Sequence, residues 1–393
     1  MKRRNFMSKT SMAFAGAALI GPNLSYASKN ETLKLGVIGT GDRGCGLLSI
    51  LNEMEGLNVT SCCDVLPFRL EEGIKRLDGK VQAFSDYRKL LESKDVDAVV
   101  IATPLSEHYQ IAHDALDAGK HVYCEKTMVK GYKDIEKLVK KAKTSKGIFQ
   151  TGHQYHSSRL YTHVVDLIRN GKIGKITAFE CQWNRNGNWR RPVPKPEYER
   201  AVNWRMYKEF SGGLLAELCS HQLDFVNWVL GEVPTKVYGD GGIDYWKDGR
   251  ETFDNVHMIY TYPDGVRSKF TCLTSNAKDD YLIKVLGDKG TITIDYGKAW
   301  FYPEKEEGIK EIGEVDGVAG ATVQWNQQMG IPIEIEHLDP SKQALLDFKN
   351  CIVDNSEPES NIVTGAKTAI CVQMGLDALY TGEVVRWKDG LLG

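Results

Sequence analysis

The 393-residue chain is 42% hydrophobic and 26% charged, an ordinary globular composition with material for two domains. Its 50 basic and 52 acidic residues leave a formal charge of −2, which excludes a charge-driven nucleic-acid binder. No low-complexity tract, internal repeat or charge block interrupts it.

Residues 1–27 read as an export signal outside the fold. Lys2, Arg3 and Arg4 make a basic start, residues 11–20 form an apolar run too short to span a bilayer, and Ser25 and Ala27 offer small residues for cleavage. The Arg3-Arg4 pair is of the twin-arginine kind, which exports folded proteins, although a general secretory signal could carry the same pair. The expectation is a periplasmic protein with no membrane span once the signal is removed. Nine cysteines, an odd number, sit mostly in apolar runs without zinc-site spacing, so they read as free buried thiols.

Residues 33–38 predict an apolar strand that runs into Gly39-x-Gly41-x-x-Gly44, with a helix behind it. A second strand ends at Asp64, 25 residues after Gly39. Strand, glycine turn, helix, strand and acid together make the dinucleotide-binding unit. In it, Gly39, Gly41, Asp42, Arg43 and Gly44 form the turn under the pyrophosphate, and the helix start supplies free N–H groups. Asp64 suits a ribose diol and favours NAD over NADP. Arg69 could instead attract a 2′-phosphate, or be an ordinary surface arginine. Helices and strands then alternate up to the strand over residues 148–153, which predicts a doubly wound parallel sheet across 33–155. Ligands in such sheets sit beyond the carboxyl ends of the strands. Thr103, Pro104, Glu125 and Lys126 all stand there.

From 156 to 393 the pattern changes to an α+β domain with a mostly antiparallel sheet. It runs through a helix, an extended segment over 175–184, a Trp-, Arg- and Pro-rich loop over 184–198, and a helix over 212–231. Six strands separated by turn signals follow, and then two closing helices. On the 212–231 helix, Glu217 and His221 are four residues apart and share a face in α-helical geometry. Glu217 is therefore expected to support the His221 ring and favour its imidazolium form, with Asp224 and Trp228 extending the same face. His153 and His156 lack a third partner at metal-site spacing, so no metal is expected.

The segments "GVIGTGDRG", "VVIATPLSEH", "CEKTMVK", "GKIGKI" and "GGLLAELCSHQLD" come in the order found in the glucose–fructose oxidoreductase and inositol dehydrogenase (Gfo/Idh/MocA) family. The resemblance covers essentially the whole chain after the signal. It implies a Rossmann domain, a bound nicotinamide cofactor and a carbohydrate substrate, with a homo-oligomer built on the open sheet; export, where free NAD is not expected, adds that the NAD is held tightly. It also implies that Lys126 lies near the nicotinamide and the substrate hydroxyl, with Thr127 where the family usually has proline. The histidine of its second motif is His221, and Glu217 replaces the family's aspartate. Thr103, Pro104, His108, Glu125 and Gln154 fall on its cofactor side; Tyr155, Trp204 and Arg205 join His221 as substrate contacts.

The function that follows is oxidation of a secondary hydroxyl of a sugar or glycoside, with pyranose C3 as one candidate carbon. His221 takes the proton, and Lys126 stabilises the alkoxide. Two alternatives stay open at this point. One is a redox-assisted glycoside hydrolase, and the other is a non-catalytic nucleotide-binding protein.

Overall fold

The structure, a computed structural model, describes residues 32–304 and 330–392. The expected export signal over 1–27 lies outside the described residues. In the first unit β1 (Leu33–Ile38), β2 (Leu57–Cys63), β3 (Gln82–Phe84), β4 (Ala98–Ile101), β5 (His121–Cys124) and β6 (Phe149–Thr151) make one sheet in the order β3-β2-β1-β4-β5-β6. Every pairing in it is parallel. Helices α1 (Asp42–Asn52), α2 (Pro67–Ile74), α3 (Tyr87–Leu91), α4 (His108–Asp117) and α5 (Tyr132–Thr144) supply the crossovers. All four residues of β4 are buried, as a parallel strand covered on both faces requires. Helix α5 turns Ile135, Leu138 and Val139 inward and its lysines outward. The strand order reverses between β1 and β4, and a crevice forms at their carboxyl ends.

The second unit opens with α6 (Arg159–Arg169) and β7 (Ile176–Trp183), followed by a short α7 (Glu199–Val202). A π turn over Leu215–Cys219 leads into α8 (Ser220–Leu230). Next come β8 (Lys236–Gly242), β9 (Asn255–Thr261), β10 (Arg267–Leu273), β11 (Tyr281–Gly287), β12 (Gly290–Asp295), β13 (Lys298–Pro303) and β14 (Ile331–Ile333). The chain closes with α9 (Pro340–Asp354), α10 (Ile362–Thr381) and β15 (Val385–Arg386). The sheet order is β14-β13-β12-β11-β7-β10-β9-β8-β15, antiparallel throughout except between β7 and β10. Strands β9 and β10 alternate buried and outward residues, the pattern of a sheet with one covered face.

Two closing elements link the units. Helix α9 packs Ala344, Leu345, Phe348 and Ile352 into the core of the first sheet, with Phe348 edge-on to Tyr123. Although late in sequence, it therefore belongs by packing to the nucleotide-binding unit. Helix α10 is long and apolar enough to cross a membrane, yet 72% of that window is buried against protein. It packs on α5, α8 and β8. All nine cysteines are unpaired, and eight are buried.

The glycine turn shows why the three spacings differ in role. Gly39 has φ +91, and a Cβ on Gly44 would sit 1.9 Å from the Gly39 carbonyl oxygen. A Cβ on Gly41 would meet nothing within 4 Å, so that position is open to a ligand. Gly44→Ala is therefore expected to destabilise the protein by about 2–3 kcal/mol through overpacking. Gly41→Ala should keep its melting temperature but lose dinucleotide binding, measured by titration with NADH fluorescence.

Candidate active site

A cleft of about 460 Å³ runs along the seam between the two units. The first unit contributes Gly41, Asp42, Arg43, Thr103, His108, Glu125, Lys126 and Gln154. The second contributes Trp204, Arg205, Glu217 and His221. Gly39, Gly44, Asp64, Pro104 and Tyr155 do not line it; the two glycines shape the turn below.

At the cofactor end, Asp64 braces the glycine turn. Its Oδ2 accepts from Thr40 N at 2.8 Å and Thr40 Oγ1 at 3.3 Å, and its Oδ1 accepts from Leu66 N at 2.8 Å. Burial pushes this carboxyl up, against the pull of those hydrogen bonds. A carboxylate has about four acceptor positions, so one is left for a ribose hydroxyl. Arg69 is engaged by Asp42 at 3.1 Å and Glu72 at 3.0 Å, which occupies the group a 2′-phosphate would need. With Gly41 open and the first N–H groups of α1 above it, the residues present fit NAD. Arg43 grips Glu125 Oε1 through Nε and Nη2, both at 2.7 Å, and reaches Ser341 of α9 at 3.1 Å.

At the chemical end, the strand that stops at Cys124 delivers Lys126 into the seam. Its Nζ donates to the Glu217 carbonyl at 2.9 Å and lies 4.0 Å from the Glu217 carboxylate. Burial pulls the ammonium pKa down, while Glu217 and Glu125 hold it up; the net direction is down. The Lys126–Thr127 peptide is cis. Threonine supplies what proline could not, since its Oγ1 donates to the Ala216 carbonyl at 3.0 Å. His108 lies between the Thr127 and Thr103 carbonyls, 3.1 and 3.0 Å from its two ring nitrogens. Burial lowers its pKa despite those two acceptors. His108 thus ties together the two loops that carry the cleft wall.

Glu217 does not support His221. Its Oε2 accepts from Arg205 Nε at 2.9 Å and faces Lys126, while its Oε1 reaches Ser211 Oγ at 3.5 Å. Burial would raise this carboxyl, but Lys126 and Arg205 outweigh it and hold it below the usual range. Both residues line the cleft, but the Glu217 carboxylate is claimed by Arg205 and Lys126 and not by the His221 ring. Nor does the imidazolium gain support. Burial first, then Lys126 and His153, push His221 well below the ordinary histidine range. The ring is therefore neutral and able to accept a proton.

Tyr155 stands behind the His221 ring, at 5.2 Å between centroids, stacked on Tyr161 at 4.1 Å. It is buried in the 3-10 turn over Gln154–His156 and does not line the cleft. Asp224 also leaves the expected face. It is buried between His156, at 2.8 Å, and His153, at 3.8 Å, and it accepts from Thr368 Oγ1 at 3.0 Å. Burial would raise its carboxyl, but the two histidines hold it down. This cluster fixes α8, and with it His221, against α10 and the end of β6.

Four aromatic or charged cleft residues escaped individual identification in the sequence: Trp183, Arg185, Trp189 and Arg191. The Trp- and Arg-rich loop was the available signal for the last three, whereas Trp183 ends β7. Trp183 lies 5.7 Å from His221, ring to ring. Trp189 has φ +66, an uncommon conformation for a bulky side chain that costs about 1–3 kcal/mol. Its neighbours are tied down. Arg190 bonds Asp248 and Glu199, Arg250 pairs with Asp248 at 2.7 Å and donates to the Asn188 carbonyl at 2.8 Å, and buried Asn203 both donates to and accepts from the Arg191 backbone. Hydrogen bonding by Arg250, aided by Arg190, holds the Asp248 carboxyl at about 2 against burial. Because that value is depressed from 3.8, the stabilisation is present above 3.8 and lost as pH falls through about 2. Wild type should thus exceed Asp248→Asn by about 2 kcal/mol near neutrality, with the gap closing in urea titrations taken from pH 5 downward.

Residues 33–153 match the family model described as "Oxidoreductase family, NAD-binding Rossmann fold", and residues 161–293 match "GFO/IDH/MocA C-terminal domain". An uncharacterized oxidoreductase of Streptococcus pneumoniae is 30% identical, over 67% of this chain and 68% of its own length. Myo-inositol 2-dehydrogenase of Thermotoga maritima is 27% identical over 67% of this chain and 75% of its own. Among solved structures, levoglucosan dehydrogenase in complex with NADH and levoglucosan superposes with a TM-score of 0.72 at 17% identity, covering 90% of this chain and 99% of that one.

Proposed function

The chain belongs to the GFO/IDH/MocA family of NAD-binding oxidoreductases, and from that membership we propose that it oxidises a secondary hydroxyl of a sugar or glycoside, with hydride passing to a nicotinamide it retains tightly. The observation that carries this reading is the meeting, in one cleft, of the Lys126 ammonium from the first unit and a neutral His221 from the second. Relatives named for inositol and levoglucosan support a polyhydroxylated substrate.

NAD, when bound, supplies the hydride acceptor. The glycine turn and the start of α1 would hold its pyrophosphate, and Asp64, which braces the turn, would hold a ribose hydroxyl. His221 takes the hydroxyl proton as the C–H bond breaks, and the C=O bond forms. Lys126 faces the oxygen on which negative charge develops, a fixed cation in a partly dry site. The products are a keto sugar, reduced cofactor and one proton. The same lysine lowers the His221 pKa, so one charge keeps the base free and stabilises the alkoxide.

The test is single-turnover reduction of the bound cofactor by a sugar panel, with the dinucleotide released by denaturation identified by mass spectrometry. Lys126→Ala and His221→Ala should each slow hydride transfer about 10²- to 10⁴-fold. Both should keep their cofactor, whereas Asp64→Ala should lose it. Since His221 is depressed, the acid limb of the wild-type rate should lie below pH 6.5. Near-normal transfer in His221→Ala would place the base elsewhere.

We further infer periplasmic export, supported by the basic start, the apolar run and the small residues before residue 28. An interior of unpaired thiols suits folding in a reducing compartment before export by the twin-arginine route. Replacing Arg3 and Arg4 by lysine should leave folded precursor in the cytoplasm. An unchanged periplasmic yield would rule out that route.

A further inference from the structure

Trp189 is the one bulky aromatic residue among the described residues held in the left-handed region by polar neighbours on both sides and set into the cleft lining. Asn188 accepts from Arg190 N at 3.1 Å, making a turn around it. The Arg190 side chain and the Asn188 carbonyl are held by the Asp248–Arg250 pair, and the Arg191 backbone by Asn203. Gly187 is fastened to the Thr274 carbonyl at 2.9 Å. A strained residue persists only where its surroundings over-determine it, and such residues gather at ligand clamps. Glycine would satisfy the backbone here without strain. The ring is what the position keeps, yet its indole N–H makes no hydrogen bond among the described residues.

The wall of the cleft has an order. His221 is next to Trp183, the Arg185 guanidinium stands 5.3 Å from the Trp183 ring, and Trp189 follows at 6.0 Å from that guanidinium. Arg185 has no acidic partner and makes no side-chain hydrogen bond among the described residues, so its five donors are available to a ligand. A sugar ring presenting its hydroxyl to His221 lies beside Trp183. Trp189 and Arg185 are then one station further out, an aromatic face with a polar fork beside it. That combination suits the apolar face and hydroxyls of a second ring.

Building on the sugar-oxidising reading above, we propose that Trp189 and Arg185 form a second ring subsite, and that the substrate is a two-ring glycoside in preference to a free monosaccharide. The ring to be oxidised sits at Trp183 and His221, and the group attached to it stacks on Trp189.

The test compares three forms of each of glucose, galactose and N-acetylglucosamine: the free sugar, the methyl glycoside and the 4-nitrophenyl glycoside. Half-saturation for reduction of the bound cofactor is measured for each. For the sugar that reacts, the nitrophenyl form should half-saturate at least about 10-fold lower than the methyl form, the scale of one aromatic stacking contact plus its buried area. In Trp189→Ala and Trp189→Gly that ratio should fall to about 1. Trp189→Gly relieves the strain at φ +66 but gives up the packing of the ring against the core, so the ratio and not the melting temperature decides; a purely structural tryptophan would leave the ratio unchanged. Equal half-saturation of methyl and nitrophenyl forms in the wild type overturns the second subsite and leaves the oxidoreductase reading standing. A ratio that survives both substitutions overturns its placement at Trp189. Failure of every sugar to reduce the bound cofactor overturns the sugar-oxidising reading and this subsite with it.

Discussion

The site depends on two donor contacts across the seam. Lys126 Nζ and Thr127 Oγ1, from the end of β5, bond the carbonyls of Glu217 and Ala216. These carbonyls belong to a π turn, where the usual helical ladder is disturbed and backbone oxygens can take outside donors. Ser220 Oγ also bonds the Ala216 carbonyl, at 2.7 Å. The lysine is thereby held at a fixed depth between two cores. Placing an ammonium there is unfavourable unless it is paired, and Glu217 with Glu125 supplies the opposite charge. Glu217 in turn needs Arg205, and Glu125 needs Arg43. The acids and bases of the cleft form a chain of mutual compensation, and His221 is left as the uncharged member.

That arrangement separates what sequence pattern can reach from what it cannot. The parallel sheet was legible because its rules are local: continuous apolar strands, amphipathic helices and a glycine turn whose spacing is set by sterics. The antiparallel strands were legible from their alternation and turn residues. Short edge strands β14 and β15, of three and two residues, carry too little pattern to detect. Helix α9 was visible as a helix, but its docking on the first sheet is a tertiary fact.

The candidate site divides in the same way. Lys126 and His221 fall at the cleft because each sits at a position fixed by a strand end or a helix face. Glu217 was assigned the wrong partner because the i,i+4 rule sees only its own helix, and Arg205 and Lys126, which claim the carboxylate, come from other elements. Asp224 and the His153–His156 pair looked unrelated in sequence. They meet only because α8 crosses the turn after β6, which brings the carboxylate to 2.8 Å from His156 and 3.8 Å from His153. Tyr155 was placed among the substrate contacts by the family resemblance, but in a 3-10 turn successive side chains point about 120° apart, and Tyr155 is buried while Gln154 lines the cleft.

The loop over 184–198 extends the same logic to specificity. A long connection between sheet and helix would ordinarily be mobile and weakly defined. Here buried Asn203, the Asp248–Arg250 pair and the Arg190 contacts give it the fixity of a core element. Arg191 carries it back to the first unit through Asp42 at 3.0 Å. That ion pair is half-exposed and adds little stability, but its position matters, because Asp42 opens α1 directly above the glycine turn. Arg191 lines the same cleft as Gly41 and Asp42, so a pyrophosphate at the glycine turn would compete with Asp42 for that guanidinium. Cofactor and substrate walls are therefore joined through a single loop, so whatever orders Trp189 also sets the cover over the cofactor. Under the proposed function, tight retention of NAD and selection of the sugar would be two consequences of one rigid segment.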